Sequence, residues 1–256
     1  MILKLILKLA VPIPKLTSFE NYLFIGPHPD DIEIGAGGTA AYLASLGKKV
    51  TFLICTDGRY GSDKIEPDAL VEIRKNEAIA AAKHLGVNDV IFLPFSDGGQ
   101  YDVKDLTTEI AKIIATVKPD VVFCPDPELK TELHPDHLNA GRSASNAFIS
   151  VMAKGLMAKY GLENHTVKAI SYYYTNRENS YVKLKGFKEK ALESIALHVS
   201  QFPQETPEQI KTLTLLKFYL KMRSLKHGLR RFCLSAEGFC TLPTFYTHCA
   251  PEAEDM

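Results

Sequence analysis

Two short clusters in this chain carry the side chains that chemistry needs. Gly26-Pro27-His28-Pro29-Asp30-Asp31 packs one imidazole and two carboxylates into four residues, directly after the apolar run Tyr22-Leu23-Phe24-Ile25. His134-Pro135-Asp136-His137 repeats the theme after a second apolar run, Val121-Val122-Phe123-Cys124. A helix commonly opens at a proline that follows a polar residue, so His28 and Asp31, three apart, are expected on one side of a turn. Two histidines and a carboxylate with a fourth position left to water make a catalytic zinc site. His28, Asp31 and His137 are the expected Zn2+ ligands. Asp30 is left as the base that takes a proton from water. His134 is free to stabilise an oxyanion or to protonate a leaving group, and Asp136 is expected to support the ligands from behind.

These clusters need a scaffold that brings them to one place. Strands are expected at 22–25, 49–55, 90–93, 120–124 and 169–174, where β-branched and apolar residues run together. Helical spacing is expected over 38–46, 68–85, 104–117, from 134–137 to about 154, over 188–199 and over 207–226. The strands are apolar throughout and alternate with helices, which predicts an α/β fold: a Rossmann-like, mostly parallel sheet with helices on both faces. In such sheets ligands bind beyond the carboxyl ends of the strands, near a change in strand order. Both clusters, and the polar loops at 56–62 and 96–99, follow strands and converge there. No repeat or linker divides the chain, so one domain is expected over 1–256, with 1–16 as an apolar arm and 228–256 as a C-terminal segment at a subunit interface. The stretch from Phe232 onward matches no regular element.

Composition narrows the partners. Thirty Lys and Arg balance thirty Asp and Glu over 256 residues, so there is no electrostatic footprint for nucleic acid. The apolar N-terminus, Met1 to Ala10, is too short to span a bilayer and is interrupted by Lys4 and Lys8. It lacks a cleavage site of the usual spacing, and a cytoplasmic protein is expected. Its five cysteines form no CxxC pair; a bridge among Cys233, Cys240 and Cys249 is open but not required. Gly35-Ala36-Gly37-Gly38 comes too late after its strand for a dinucleotide loop and reads as a packing segment. His84, His165 and His227 read as surface or helix-end residues, and His198 as a core or capping histidine.

The two clusters, in this order, resemble the LmbE/PIG-L family of zinc-dependent N-acetylglucosamine deacetylases. Thr56-Asp57-Gly58-Arg59-Tyr60-Gly61, Asp97-Gly98 and Leu197-His198-Val199-Ser200-Gln201 are also similar to that family. The resemblance implies zinc on His28, Asp31 and His137, Asp30 as base, and substrate contacts from the loops of Arg59 and Asp97. Ile32 stands where the family commonly has glutamate, and Gly58-Arg59 where it commonly has Gly-Glu. The Asp-Gly-Arg-Tyr-Gly-Ser form looks most like an archaeal branch acting on chitin-derived disaccharides. That branch implies a homo-oligomer, a hexamer or trimer, with His248 completing a neighbour's site. The implied reaction is hydrolysis of the N-acetyl group of diacetylchitobiose or N-acetylglucosamine. A deacetylase of a glucosaminide conjugate in low-molecular-weight thiol synthesis, and a zinc-bearing sugar-binding protein without turnover, are the alternatives.

Overall fold

Five parallel strands form the centre of the protein, in a computed structural model that describes residues 2–248 and 250–253. They are β1 (Asn21–Gly26), β2 (Lys49–Thr56), β3 (Asp89–Phe95), β4 (Val121–Pro125) and β5 (Ala169–Tyr173), in the order β3-β2-β1-β4-β5. The sheet continues through β6 (Ser180–Lys183) and β7 (Ala236–Pro243) in the order β5-β7-β6, both new pairings being antiparallel. The expected α/β, mostly parallel architecture is what the chain adopts. Strand order reverses between β1 and β4, so a crevice opens beyond the ends of these two strands. Those are the strands that the two His/Asp clusters follow.

Alternation along each strand builds a core on either side of the sheet. Leu23, Ile25, Leu53 and Val122 point to the face covered by α4 (Val103–Val117) and α5 (Pro135–Ser150), where Leu106, Ile110, Ile114 and Phe148 meet them. Tyr22, Phe24, Phe52 and Phe123 point the other way, under α2 (Asp31–Ser45) and α3 (Pro67–Leu85). The rings of Phe24 and Phe123 stack there with centroids 4.3 Å apart. The remaining helices are α1 (Ile2–Ala10), α6 (Lys154–Ala158), α7 (Phe187–Ile195) and α8 (Pro207–Leu229). No helix among the described residues is long and apolar enough to cross a membrane.

Three sequence expectations are corrected. The helix after the first cluster begins at Asp31 rather than Gly38. Glycines weaken a helix in isolation, but here they permit close packing. A Cβ on Gly35 would lie 2.3 Å from the Tyr173 ring, and one on Gly38 would lie 2.7 Å from the Glu237 carboxylate. The helix after the second cluster stops at Ser150, and α6 follows it. The third correction is β7, which lies inside the segment read as unassignable. It is an interior strand whose polar, partly buried Glu237 accepts from the backbone N–H of Gly38 (3.0 Å) and Thr39 (2.8 Å), so a polar residue there marks a contact with α2. His227 stands at a helix end, in the last turn of α8, where it is buried 3.1 Å from Glu178. Cys233 and Cys240 are free thiols, and Cys249 lies outside the described residues.

Candidate metal and catalytic site

β1 ends in the first cluster and α2 starts immediately after it, which compresses the turn. Asp30 takes up the compression with φ of 134°, a region that non-glycine residues rarely enter and that is costly to hold. Arg74 of α3 fixes that turn. Its guanidinium donates to the carbonyls of Pro29 (2.8 Å) and Gly58 (3.0 Å) and lies 3.3 Å from the Asp30 carboxylate. Sequence reading passed over Arg74, although it interrupts an apolar stripe of α3 (Leu70, Ala78, Ala81, Leu85) and is 3% exposed. A charge in a buried stripe must be paired, and that spacing was the available clue.

The cluster residues come together at the switch point. The Asp31 carboxylate accepts from His28 Nδ1 (3.1 Å) and lies 3.4 Å from His137 Nε2. His28, Asp31 and His137 form a group whose ligand atoms all lie within 4.8 Å of one another, and His28, His134 and Asp136 form an overlapping one. The far nitrogen of each histidine in the first group is held by a carboxylate. His28 Nε2 sits 3.1 Å from Asp136, and His137 Nδ1 sits 2.9 Å from Glu132. Such carboxylate–histidine pairs orient imidazoles for a metal and raise their basicity. Asp136 is held in turn by the backbone N–H groups of Gly98 (2.6 Å) and Gly99 (2.8 Å).

Glu132 and Tyr174 are further residues that sequence reading missed. The Tyr174 hydroxyl donates to Asp31 Oδ1 at 3.1 Å, and its ring stacks on His137 with an interplanar angle of 10°. Asp126 ties together the loops that carry them. It accepts from Thr175 Oγ1 (2.6 Å) and from Arg177 (2.7 Å).

The electrostatics of this cluster suit a cation. Burial opposes charge on His28, yet its hydrogen bonds to Asp136 and Asp31 raise its pKa to about 10. Burial likewise opposes charge on His137, and Asp31 outweighs it, again raising the pKa. Burial would raise Asp31, but hydrogen bonds from His137 and His28 hold it well below the usual carboxylate range. Two imidazolium-prone histidines around a carboxylate that stays ionised are what a divalent ion would replace by displacing protons. This donor set of nitrogen and oxygen fits zinc. Asp30 behaves differently. Burial and the adjacent Asp31 charge push it up to about 7, against the pull of Arg74, His198 and His28.

The other expected residues fall in four places. His134 caps α5, its Nδ1 accepting from the Asp136 N–H at 3.2 Å. Burial, followed by the charges of His28 and His137, lowers its pKa. The neutral ring then carries its proton on Nε2 and can donate there. Asp97 is buried and accepts from the Tyr60 N–H at 3.2 Å, so it shapes the loop after β2. Arg59 is turned onto Asp57 (2.8 Å) and Asp68 (3.2 Å), in a pocket that shares Pro29 with the first cluster but none of the metal-group residues. His248 is exposed beyond β7, whose Pro243 pairs with Ala169 at the start of β5. It therefore leaves the sheet at the edge opposite its own chain's clusters. His198 is fully buried, 3.5 Å from Glu33, and is not one of the ligand group.

The PIG-L (GlcNAc-PI de-N-acetylase) family matches residues 23–148, the span that holds both clusters. Diacetylchitobiose deacetylase of Thermococcus kodakarensis is 32% identical over 240 residues, covering 91% of this chain and 87% of that one. The chain belongs to the PIG-L/LmbE family. Inhibitor-bound N,N'-diacetylchitobiose deacetylase of Pyrococcus horikoshii has a similar structure, with a TM-score of 0.86 at 28% identity over 98% of this chain and 95% of that one. A 1D-myo-inositol 2-acetamido-2-deoxy-alpha-D-glucopyranoside deacetylase of Kineococcus radiotolerans is 29% identical, covering 55% of this chain and 48% of that one. The chain thus spans about half the length of that relative, against most of the length of the chitobiose enzymes. In this PIG-L/LmbE member the family match ends just before the close of α5. β5 to β7 and α8, which complete the sheet and one wall of the crevice, lie outside it.

Proposed function

We propose that this protein is a zinc-dependent deacetylase that hydrolyses the N-acetyl group of an N-acetylglucosamine saccharide, diacetylchitobiose above all. The observation that carries the reading is the convergence of His28, Asp31 and His137, with the strained, Arg74-held Asp30 next to them. The full-length similarity to chitobiose deacetylases supports that substrate over a glucosaminide conjugate, whose relatives match about half of the chain.

His28, Asp31 and His137 would hold the ion, with Asp136 and Glu132 fixing the two imidazoles. A divalent zinc bound there supplies Lewis acidity and makes water a ready nucleophile at neutral pH. Asp30 receives the proton as water adds to the amide carbon; a base with a pKa near the working pH is suited to that task. His134 Nε2–H donates to the oxyanion of the tetrahedral intermediate. The C–N bond then breaks, the proton passes to the amine, and acetate and the glucosamine product leave. Asp97 shapes the loop facing this region. Arg59 would contact substrate only after leaving its two carboxylate partners. A role for His248 requires a second copy of the chain, so it goes with a homo-oligomer.

The direct test is acetate release from diacetylchitobiose by the zinc-loaded protein, in parallel with N-acetylglucosaminyl-inositol. Acetate from the first in clear excess is the expected result; release from the inositol conjugate alone would move the substrate to the second class. Arg74→Lys is expected to lower kcat/KM by roughly 100-fold, because an ammonium cannot bridge two carbonyls and a carboxylate as the planar fork does. Steady-state kinetics beside a denaturant melt would check this. Near-normal kcat/KM in the lysine variant would remove Arg74 from the positioning of Asp30.

A further inference from the structure

The site does not end at the metal group. A groove of about 720 Å³ opens beside His137 and Tyr174 and runs along the carboxyl edge of the sheet to α8. That volume lies within the range of about 300–1,000 Å³ usual for small-molecule sites, and it leaves room beyond one pyranose ring. Tyr219, Met222 and Lys226 form the far wall. The wall is anchored: Leu213, Ser224 and His227 bury one side of α8, and Arg223 donates to the Thr175 carbonyl at 3.1 Å.

The acidic groups of the groove are already engaged. Glu132 holds His137, while Glu178 lies 3.1 Å from His227 and 3.5 Å from Arg230. Lys226 lies near Glu178 without forming an ion pair among the described residues, and Tyr219, 56% exposed overall, lines this wall. An aromatic ring and an ammonium two turns further along the same helix suit the two characters of a sugar, its apolar C–H face and its ring of hydroxyls.

We propose that this groove is the subsite for the sugar attached to the acetylated residue, with Tyr219 as its stacking platform and Lys226 as a hydrogen-bond donor. It rests on the deacetylase reading above and deepens it: Tyr219 sets a preference for a disaccharide over a free monosaccharide. The test compares kcat/KM for N,N'-diacetylchitobiose and for N-acetylglucosamine in the wild type, Tyr219→Ala, Tyr219→Phe and Lys226→Met. The alanine variant is expected to lower the disaccharide-to-monosaccharide ratio about tenfold, through KM for the disaccharide. Phenylalanine keeps the ring and is expected to hold the ratio within about twofold of the wild type. The methionine variant should lower the ratio by about threefold, as one hydrogen bond is lost. An unchanged ratio in Tyr219→Ala, or an equal loss on both substrates, overturns the proposal. Calorimetric titration of the zinc-loaded protein with chitobiose, the deacetylated disaccharide, gives a readout without turnover. If the wild type releases acetate from neither sugar, the deacetylase reading fails. The titration then still decides the groove: chitobiose binding that weakens in Tyr219→Ala upholds the subsite, and binding that is absent or unaltered overturns it.

Discussion

Asp30→Asn is expected to reduce turnover by about 10²–10⁴-fold, the usual contribution of a general base, while zinc stoichiometry stays near one. The argument is one of division of labour between adjacent carboxylates. Asp31 is held ionised by His28 and His137 and belongs to the ligand group, whereas Asp30, at φ 134°, lies beside that group and is held by Arg74. Asparagine is the better probe than alanine, because asparagine and aspartate tolerate positive φ more readily than other side chains. It also keeps a polar partner for the buried Arg74, which alanine would leave with only its two carbonyl acceptors. Metal analysis and acetate release measured on the same preparation decide the matter. Retained turnover would remove Asp30 as base, and loss of zinc together with activity would make it a ligand instead.

Zinc should raise the melting temperature of the wild type, and His137→Ala should abolish both that rise and the activity. An ion that binds only the folded state stabilises it by about 2.7 kcal/mol at a free concentration 100 times its dissociation constant. Removing His137 leaves one imidazole and one carboxylate, too few for tight zinc binding. Chelation should inactivate the wild type, and added zinc should restore it but not the alanine variant. The affinity should also depend on pH with a defined sign. His28 has a pKa of about 10 without the ion, so binding must displace its proton, and affinity should rise about tenfold per pH unit below that value for each proton displaced. A metal titration across pH 6 to 8 (roughly a hundredfold range on this basis) checks it. A flat profile, or activity that survives chelation, would refute the metal assignment.

Much of the site was legible because its parts are local. His28, Asp30 and Asp31 lie within one turn, and His134, Asp136 and His137 within another, so type and spacing alone mark both clusters. The apolar strands before them placed each cluster at a carboxyl end, and the strand–helix alternation pointed to the parallel sheet that joins them. What escaped were residues whose partners are far away in sequence. Arg74 meets Asp30 across 44 positions, and Tyr174 meets Asp31 across 143. Neither has a neighbour in the chain that would disclose the contact.

The same limit runs through the rest of the protein. Arg59 and Asp97 have types that suit sugar recognition, and their partners in the fold, Asp57 and Asp68 for Arg59 and the Tyr60 amide for Asp97, could not be read from the chain. β7 was illegible because its polar residues read as loop until the helix that satisfies Glu237 is in place. The sequence by itself marked the two clusters whose side chains converge and the α/β sheet that presents them, since periodicity and cluster spacing are properties of neighbouring residues. Only the tertiary structure decided how Asp30 is held apart from Asp31, which carboxylates steer the two histidines, and where a groove extends beyond them. Those depend on contacts that exist only once β1, β4, α3 and α8 have packed.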